Sequence, residues 1–64
     1  MDFNRKKIQI ELERLGWSES ELAKKAGSHR QWLNAIMTGK RGISLAGIQR
    51  IADALGLDPK DLIK

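Results

Sequence analysis

Apolar positions recur at helical spacing along most of the chain, and the pattern is clearest between Ser18 and Arg41. Leu22, Ala23 and Ala26 lie three and four residues apart or adjacent, which lines one face of a helix. Gly27 follows, and a residue without a Cβ suits the left-handed conformation just past a helix end. The pattern resumes with Leu33, Ile36 and Met37. Around that second helix Gln31, Asn34, Ala35 and Thr38 face away from the Leu33 and Ile36 stripe, and Arg30 sits in its first turn with a side chain long enough to reach outward. Trp32 falls on the flank between the faces, where it covers the core edge or stacks on a base or sugar. A helix, a tight turn and a second helix with a polar, basic outer face make a helix-turn-helix candidate.

The flanking segments supply the rest of an apolar core. Ile8, Leu12 and Leu15 form one stripe and predict a helix over about Arg5 to Leu15, with Asp2 or Asn4 as N-cap and Gly16 at its end. Trp17 precedes Ser18, and Glu21 three residues on completes capping-box spacing, so Trp17 is placed to staple onto a helix over Glu19 to Lys25. Ser28 and Gln31 repeat that spacing, which gives Gln31 a structural role in competition with an outward one. Ser44 caps a fourth helix burying Leu45, Ile48, Ala52 and Leu55, with Ile51 beside them; Gly47 inside it implies a close packing contact there or none at all. Asp58, Pro59 and Asp61 start a fifth helix with a small apolar face at Leu62 and Ile63. The expectation is an all-α, compact five-helix fold, with residues 1–64 as one domain.

Length and charge narrow the function. A 64-residue chain without cysteine has neither a large core nor disulfides to hold it. It carries no apolar run of about 20 residues and no visible signal peptide, which favours the cytoplasm. The net charge of +4 is unevenly spread: between Leu22 and Ala52 there are six bases, Lys24, Lys25, Arg30, Lys40, Arg41 and Arg50, and no acid. A one-signed patch on a small domain is the footprint of a polyanion-binding face, although a solvated lysine-rich surface has the same composition. Arg5, Lys6 and Lys7 near the start are exposed bases within reach of phosphates or merely solubilising. His29 is the only histidine and no acid pair shares a helix face with it, so neither catalysis nor a metal site has its groups. The chain reads as a non-enzyme without a cofactor.

Several stretches together resemble the lambda repressor/Cro-like helix-turn-helix family: G-W-S-E-S-E-L-A from Gly16, the turn Ala26-Gly27, I-M-T-G-K-R from Ile36, and S-L-x-x-I-x-x-I-A-D-A-L-G-L from Ser44. The resemblance implies a five-helix domain whose third helix enters the DNA major groove. It puts base contacts on Arg30, Gln31, Asn34 and Ala35, with arginine suited to guanine, glutamine to adenine and the Ala35 methyl to thymine. It puts phosphate contacts on Ser18, His29, Thr38, Lys40 and Arg41. Three departures stand out. Glu19 replaces a glutamine that helps clamp phosphate and brace the third helix. Leu12 and Met37 replace an arginine–glutamate pair. Ser28 and Trp32 replace an apolar and a small residue.

The implied protein is a sequence-specific, double-stranded-DNA-binding transcriptional regulator, a phage- or prokaryote-type repressor at the cytoplasmic nucleoid. It has no small-molecule effector, and it forms a weak homodimer through Leu57, Leu62 and Ile63 of the last helix. Glu19 and the exposed part of Trp32 favour an alternative, an antitoxin or adaptor in which the same fold holds a protein partner. A non-specific nucleoid binder is a third possibility.

Overall fold

Side-chain caps open the helices where the sequence places them. In the computed structural model, which describes residues 3–63, Asn4 Oδ1 accepts from the Lys7 amide at 3.2 Å and opens α1, Arg5–Leu15. Ser18 Oγ accepts from the Glu21 amide at 3.2 Å and opens α2, Glu19–Lys25. Ser44 Oγ accepts from the Gly47 amide at 3.1 Å and opens α4, Leu45–Leu55. Each bond satisfies an amide that the helix itself leaves without a partner. Asp2, the other candidate cap, lies outside the described residues.

The start of α3, Arg30–Met37, differs from expectation. Ser28 and Gln31 form no capping box. Gly27 adopts φ +73°, the Gly27 amide donates to the Lys24 carbonyl at 3.1 Å, and the Ser28 amide donates to Ala23 at 2.9 Å. Ser28 therefore belongs to the closing turn of α2, one residue too early to cap α3. His29 occupies the N-cap position without a side-chain bond, and Gln31 is exposed.

Among the described residues there are four α-helices, and the expected fifth is a single 3-10 turn, Pro59–Leu62. Asp58 caps it by accepting from the Lys60 amide at 3.0 Å. It cannot lengthen because the chain after it is drawn into extended pairing with the N-terminal segment: Asn4 donates to the Leu62 carbonyl at 2.7 Å, and Phe3 and Ile63 form an antiparallel bridge. Leu62 is fully buried, so it is core and cannot line a dimer surface; Leu57 and Ile63 are half-buried against the same cluster.

The core joins Ile8 and Leu12 of α1, Leu22 and Ala23 of α2, Leu33 and Ile36 of α3, and Ile48, Ile51, Ala52 and Leu55 of α4. Leu12 is buried within this cluster and Met37, half-buried, packs against it. Leu45 is not part of it. Its 67% exposure shows the apolar stripe of α4 running one turn past the core edge. Gly47 is buried because α4 is crossed closely there: a Cβ would lie 2.8 Å from Ile43 Cγ1 and 3.2 Å from Trp32 Cζ2. The Trp32 ring is thus a lid seated on that glycine. Arg5 also departs from the surface role, since its Nε donates to the Ile36 carbonyl at 2.7 Å and its guanidinium lies 5.9 Å from the Phe3 ring centre. A cation on the last carbonyls of a helix complements its dipole and fixes α1 to the end of α3.

Glu11 is the buried charged residue of the described part. Arg14 reaches it with two hydrogen bonds, Nε to Oε2 at 2.9 Å and a terminal nitrogen to Oε1 at 3.2 Å. This bond holds the Glu11 carboxyl below its ordinary value of 4.5, against the opposing effect of burial. A carboxyl depressed in the folded state stabilises the fold above its unfolded pKa, and that contribution is lost as pH falls through the folded value. Urea unfolding followed over pH is therefore expected to show stability declining below about pH 4.5. Glu11→Gln is expected to flatten that part of the slope; an unchanged slope would show that other carboxyls carry it.

Candidate nucleic-acid interface

With Leu33 and Ile36 turned inward, α3 presents Arg30, Gln31 and Asn34 to solvent and Ala35 half-buried between them. Gly39, at φ +79°, reverses the chain after α3, and the Arg41 amide donates back to the Ala35 carbonyl at 3.1 Å. That bond folds the basic loop against the helix it follows. As a result Arg30, Gln31, Asn34, Ala35 and Lys40 line one open concavity of about 360 Å³. The four residues expected to meet bases are brought together, with a lysine at the rim. Guanidinium, two carboxamides and a methyl group provide donors, acceptors and an apolar contact, the set needed to read base edges.

The expected phosphate contacts are placed unequally. His29, Lys40 and Arg41 are exposed, His29 at the start of α3 and the other two on the returned loop. Ser18 is exposed at the start of α2, and its cap bond engages it only as an acceptor, so that bond leaves its hydroxyl proton free. Thr38 is engaged otherwise. Its hydroxyl donates to the Asn34 carbonyl at 2.9 Å, with the Ala35 carbonyl at 3.3 Å, so a phosphate contact would require its one proton to leave the helix.

One contact at this face runs against the charge pattern of the sequence. Asn34 Nδ2 donates to Glu19 Oε1 at 3.4 Å, linking the first residue of α2 to the outer face of α3 across 15 residues. A carboxylate beside a polyanion site looks unfavourable, which removes Glu19 from any list of contacts built on charge. The signal is its place at the start of α2, where the resemblance to the lambda repressor/Cro-like family implies a residue that braces the third helix. The acid-free stretch of sequence is accordingly not an acid-free surface. Lys24 and Lys25 likewise border a separate open concavity shared with Glu21, and Lys25 Nζ lies 4.9 Å over the Trp17 ring.

A family profile described as helix-turn-helix matches residues 8–62, which takes in α2, the Gly27 turn and α3 together with most of the surrounding helices. The chain belongs to the lambda repressor/Cro-like helix-turn-helix family. It is a DNA-binding regulator of transcription with a partner of double-stranded DNA, and the family is not one of enzymes. Among curated proteins it is similar to the control protein C.BamHI of Bacillus amyloliquefaciens, 39% identical over 61 residues, covering 95% of this chain and 75% of that protein. It is also similar to a hypothetical transcription factor of Neisseria meningitidis serogroup B, 35% identical over 48 residues. That match covers 75% of this chain and 45% of the relative. No solved structure gives a significant match. The packing of α2 on α3 through Ala23, Leu22, Leu33 and Ile36 is what holds the family motif here, with Gly27 setting the turn between them. Among the described residues no helix is long and apolar enough to cross a membrane.

Proposed function

We propose that residues 1–64 act as one domain that binds double-stranded DNA sequence-specifically, as a prokaryote- or phage-type repressor at the nucleoid, with α3 in the major groove. The observation that carries this is the single concavity shared by Arg30, Gln31, Asn34, Ala35 and Lys40. Arg30 suits guanine O6 and N7, and Gln31, free of the Ser28 cap, suits adenine. Ser18, His29, Lys40 and Arg41 hold the phosphates that fix the register, and Thr38 joins them only by releasing its helix carbonyl. The names of the relatives, a control protein and a transcription factor, support a regulatory role.

The protein-partner alternative, an antitoxin or adaptor, rests on Glu19 and Trp32, and both side chains are engaged within the fold: Glu19 bonds to Asn34, and Trp32 packs over Gly47. A two-fold dimer uses the exposed parts of Leu57 and Ile63 without Leu62, and so is weak. No small-molecule effector enters this scheme.

Selection of bound sequences from a random DNA pool tests the proposal. The expected product is a consensus of two related half-sites about 34–36 Å apart, one helical turn. Arg30→Ala is expected to relax one position of it, at about 1–3 kcal/mol. A pool that yields no consensus would point to non-specific binding, and unchanged selection by Arg30→Ala would remove α3 as the reader.

A further inference from the structure

We infer that Glu19 and Asn34 form one specificity unit, in which the Glu19 carboxylate sets the sense of the Asn34 amide so that Asn34 reads an adenine. This rests on α3 lying in the major groove as proposed above. Asn34 is exposed on the reading face and lines the same concavity as Arg30 and Gln31, while Glu19 is half-buried at the start of α2. The two meet through Asn34 Nδ2 and Glu19 Oε1 at 3.4 Å.

A side-chain amide has a donor end and an acceptor end of nearly the same shape, and on an open surface it can present either. An ionised carboxylate accepts only. Turning the Asn34 amide over would set its carbonyl oxygen against the Glu19 oxygens, acceptor against acceptor, so the carboxylate permits one sense alone. Nδ2 carries two hydrogens, and Glu19 takes one. The other hydrogen and Oδ1 remain, a donor and an acceptor side by side.

Among the base edges of the major groove, adenine offers the complement, an acceptor at N7 and a donor at N6. Guanine offers two acceptors, so Oδ1 would face O6 in repulsion. Cytosine offers a donor without the adjoining acceptor, and thymine an acceptor without the donor. Asn34 is thus the specificity-determining residue and Glu19 its positioning residue. Glutamine at position 19 would remove the selection, because a second amide can donate or accept and satisfies Asn34 in either sense. It would also remove a negative charge from the DNA-facing side, which favours the sequence-independent attraction to phosphates. Glu19 therefore lowers general affinity while sharpening discrimination, and substituting it separates the two.

The test uses the full chain and three proteins: unaltered, Asn34→Ala and Glu19→Gln. Random-pool selection with the unaltered protein comes first, and failure to find any consensus overturns DNA reading altogether, this unit included. Given a consensus, each base pair is replaced in turn and affinities are compared. Asn34→Ala is expected to abolish preference at one adenine, worth about tenfold or more in the unaltered protein. Glu19→Gln is expected to reduce preference at that same adenine severalfold, to leave the position read by Arg30 intact, and to bind random-sequence DNA at least as tightly. Full retention of the adenine preference by Glu19→Gln overturns the unit while leaving DNA reading in place. So does a uniform loss across all positions, which is what a merely structural role predicts. The protein without DNA gives an independent readout: the Asn34 side-chain amide resonances are expected to shift in Glu19→Gln with thermal unfolding unchanged, and unmoved resonances overturn the hydrogen bond on which the unit depends.

Discussion

Raising the salt from 50 to 200 mM is expected to weaken DNA binding by about 10²-fold. The cause is counterion release: each phosphate neutralised by a lysine or arginine frees a condensed cation, and added salt opposes that release. Lys40 and Arg41 lie exposed on the loop folded back to α3, and Arg30 stands in the concavity beside them. On a two-fold site Lys40 and Arg41 each act twice, which brings about four phosphates under positive charge, and at a slope of about 0.9 per phosphate a fourfold rise in salt costs about 10²-fold. Glu19 keeps its negative charge in its bond to the neutral Asn34 amide, so it lowers general affinity without removing a cation from the count. Titration of labelled duplex over a salt series gives the slope directly. Lys40→Ala and Arg41→Ala are each expected to lower the slope by about 1 per site contacted and to weaken all sequences alike, whereas Arg30→Ala changes which sequence is preferred. An affinity that barely responds to salt would mean that the basic loop does not meet DNA.

The helices that end in local signals were legible from the residues alone. Asn4, Ser18 and Ser44 cap amides three residues away, so the starts of α1, α2 and α4 depend on nothing distant. The apolar stripes of α1 and α3 were equally plain, since periodicity is local too. What the residues did not disclose was set by contacts distant in sequence or by a competing turn. Ser28 looks like a cap until Gly27 closes α2 and the Ser28 amide turns back to Ala23. Asp58 and Pro59 look like the start of an α-helix, yet pairing of the last residues with Phe3 and Asn4 stops it after one turn. Leu62 reads as a surface apolar residue only if that pairing is unknown. Arg5 reads as a free base because nothing local reveals the Ile36 carbonyl that holds it. That Arg30, Gln31, Asn34 and Ala35 line one concavity was largely foreseeable, because the four share one side of one helix. The Glu19 bond to Asn34 was only half legible: the resemblance marks position 19 as a brace of the third helix, but the partner lies on another helix and the charge argues against an acid there.

Leu33→Ala is expected to remove most of the stability of the fold and with it DNA binding. Leu33 is fully buried on the inner side of α3, in contact with the cluster that joins all four helices. Truncating such a leucine costs about 2–5 kcal/mol, from lost transfer energy and the cavity left behind. A chain of this length holds only about 3–10 kcal/mol in total, at roughly 0.05–0.15 kcal/mol per residue. No disulfide makes up the difference. The melting midpoint is therefore expected to fall by about 10 °C or more. Trp17 and Trp32 both pack against this cluster, so tryptophan fluorescence and far-ultraviolet circular dichroism should report the same transition. Saturating cognate DNA is expected to recover part of the lost midpoint, because a ligand that binds only the folded state stabilises it by mass action. Arg30→Ala is the control on the opposite side of the same helix: Arg30 is exposed, so its loss should leave the melt within about 0.5 kcal/mol while relaxing base preference. A Leu33→Ala protein that melts where the unaltered one does would show that α3 is not held by its apolar face, and the concavity it presents would then have no rigid support.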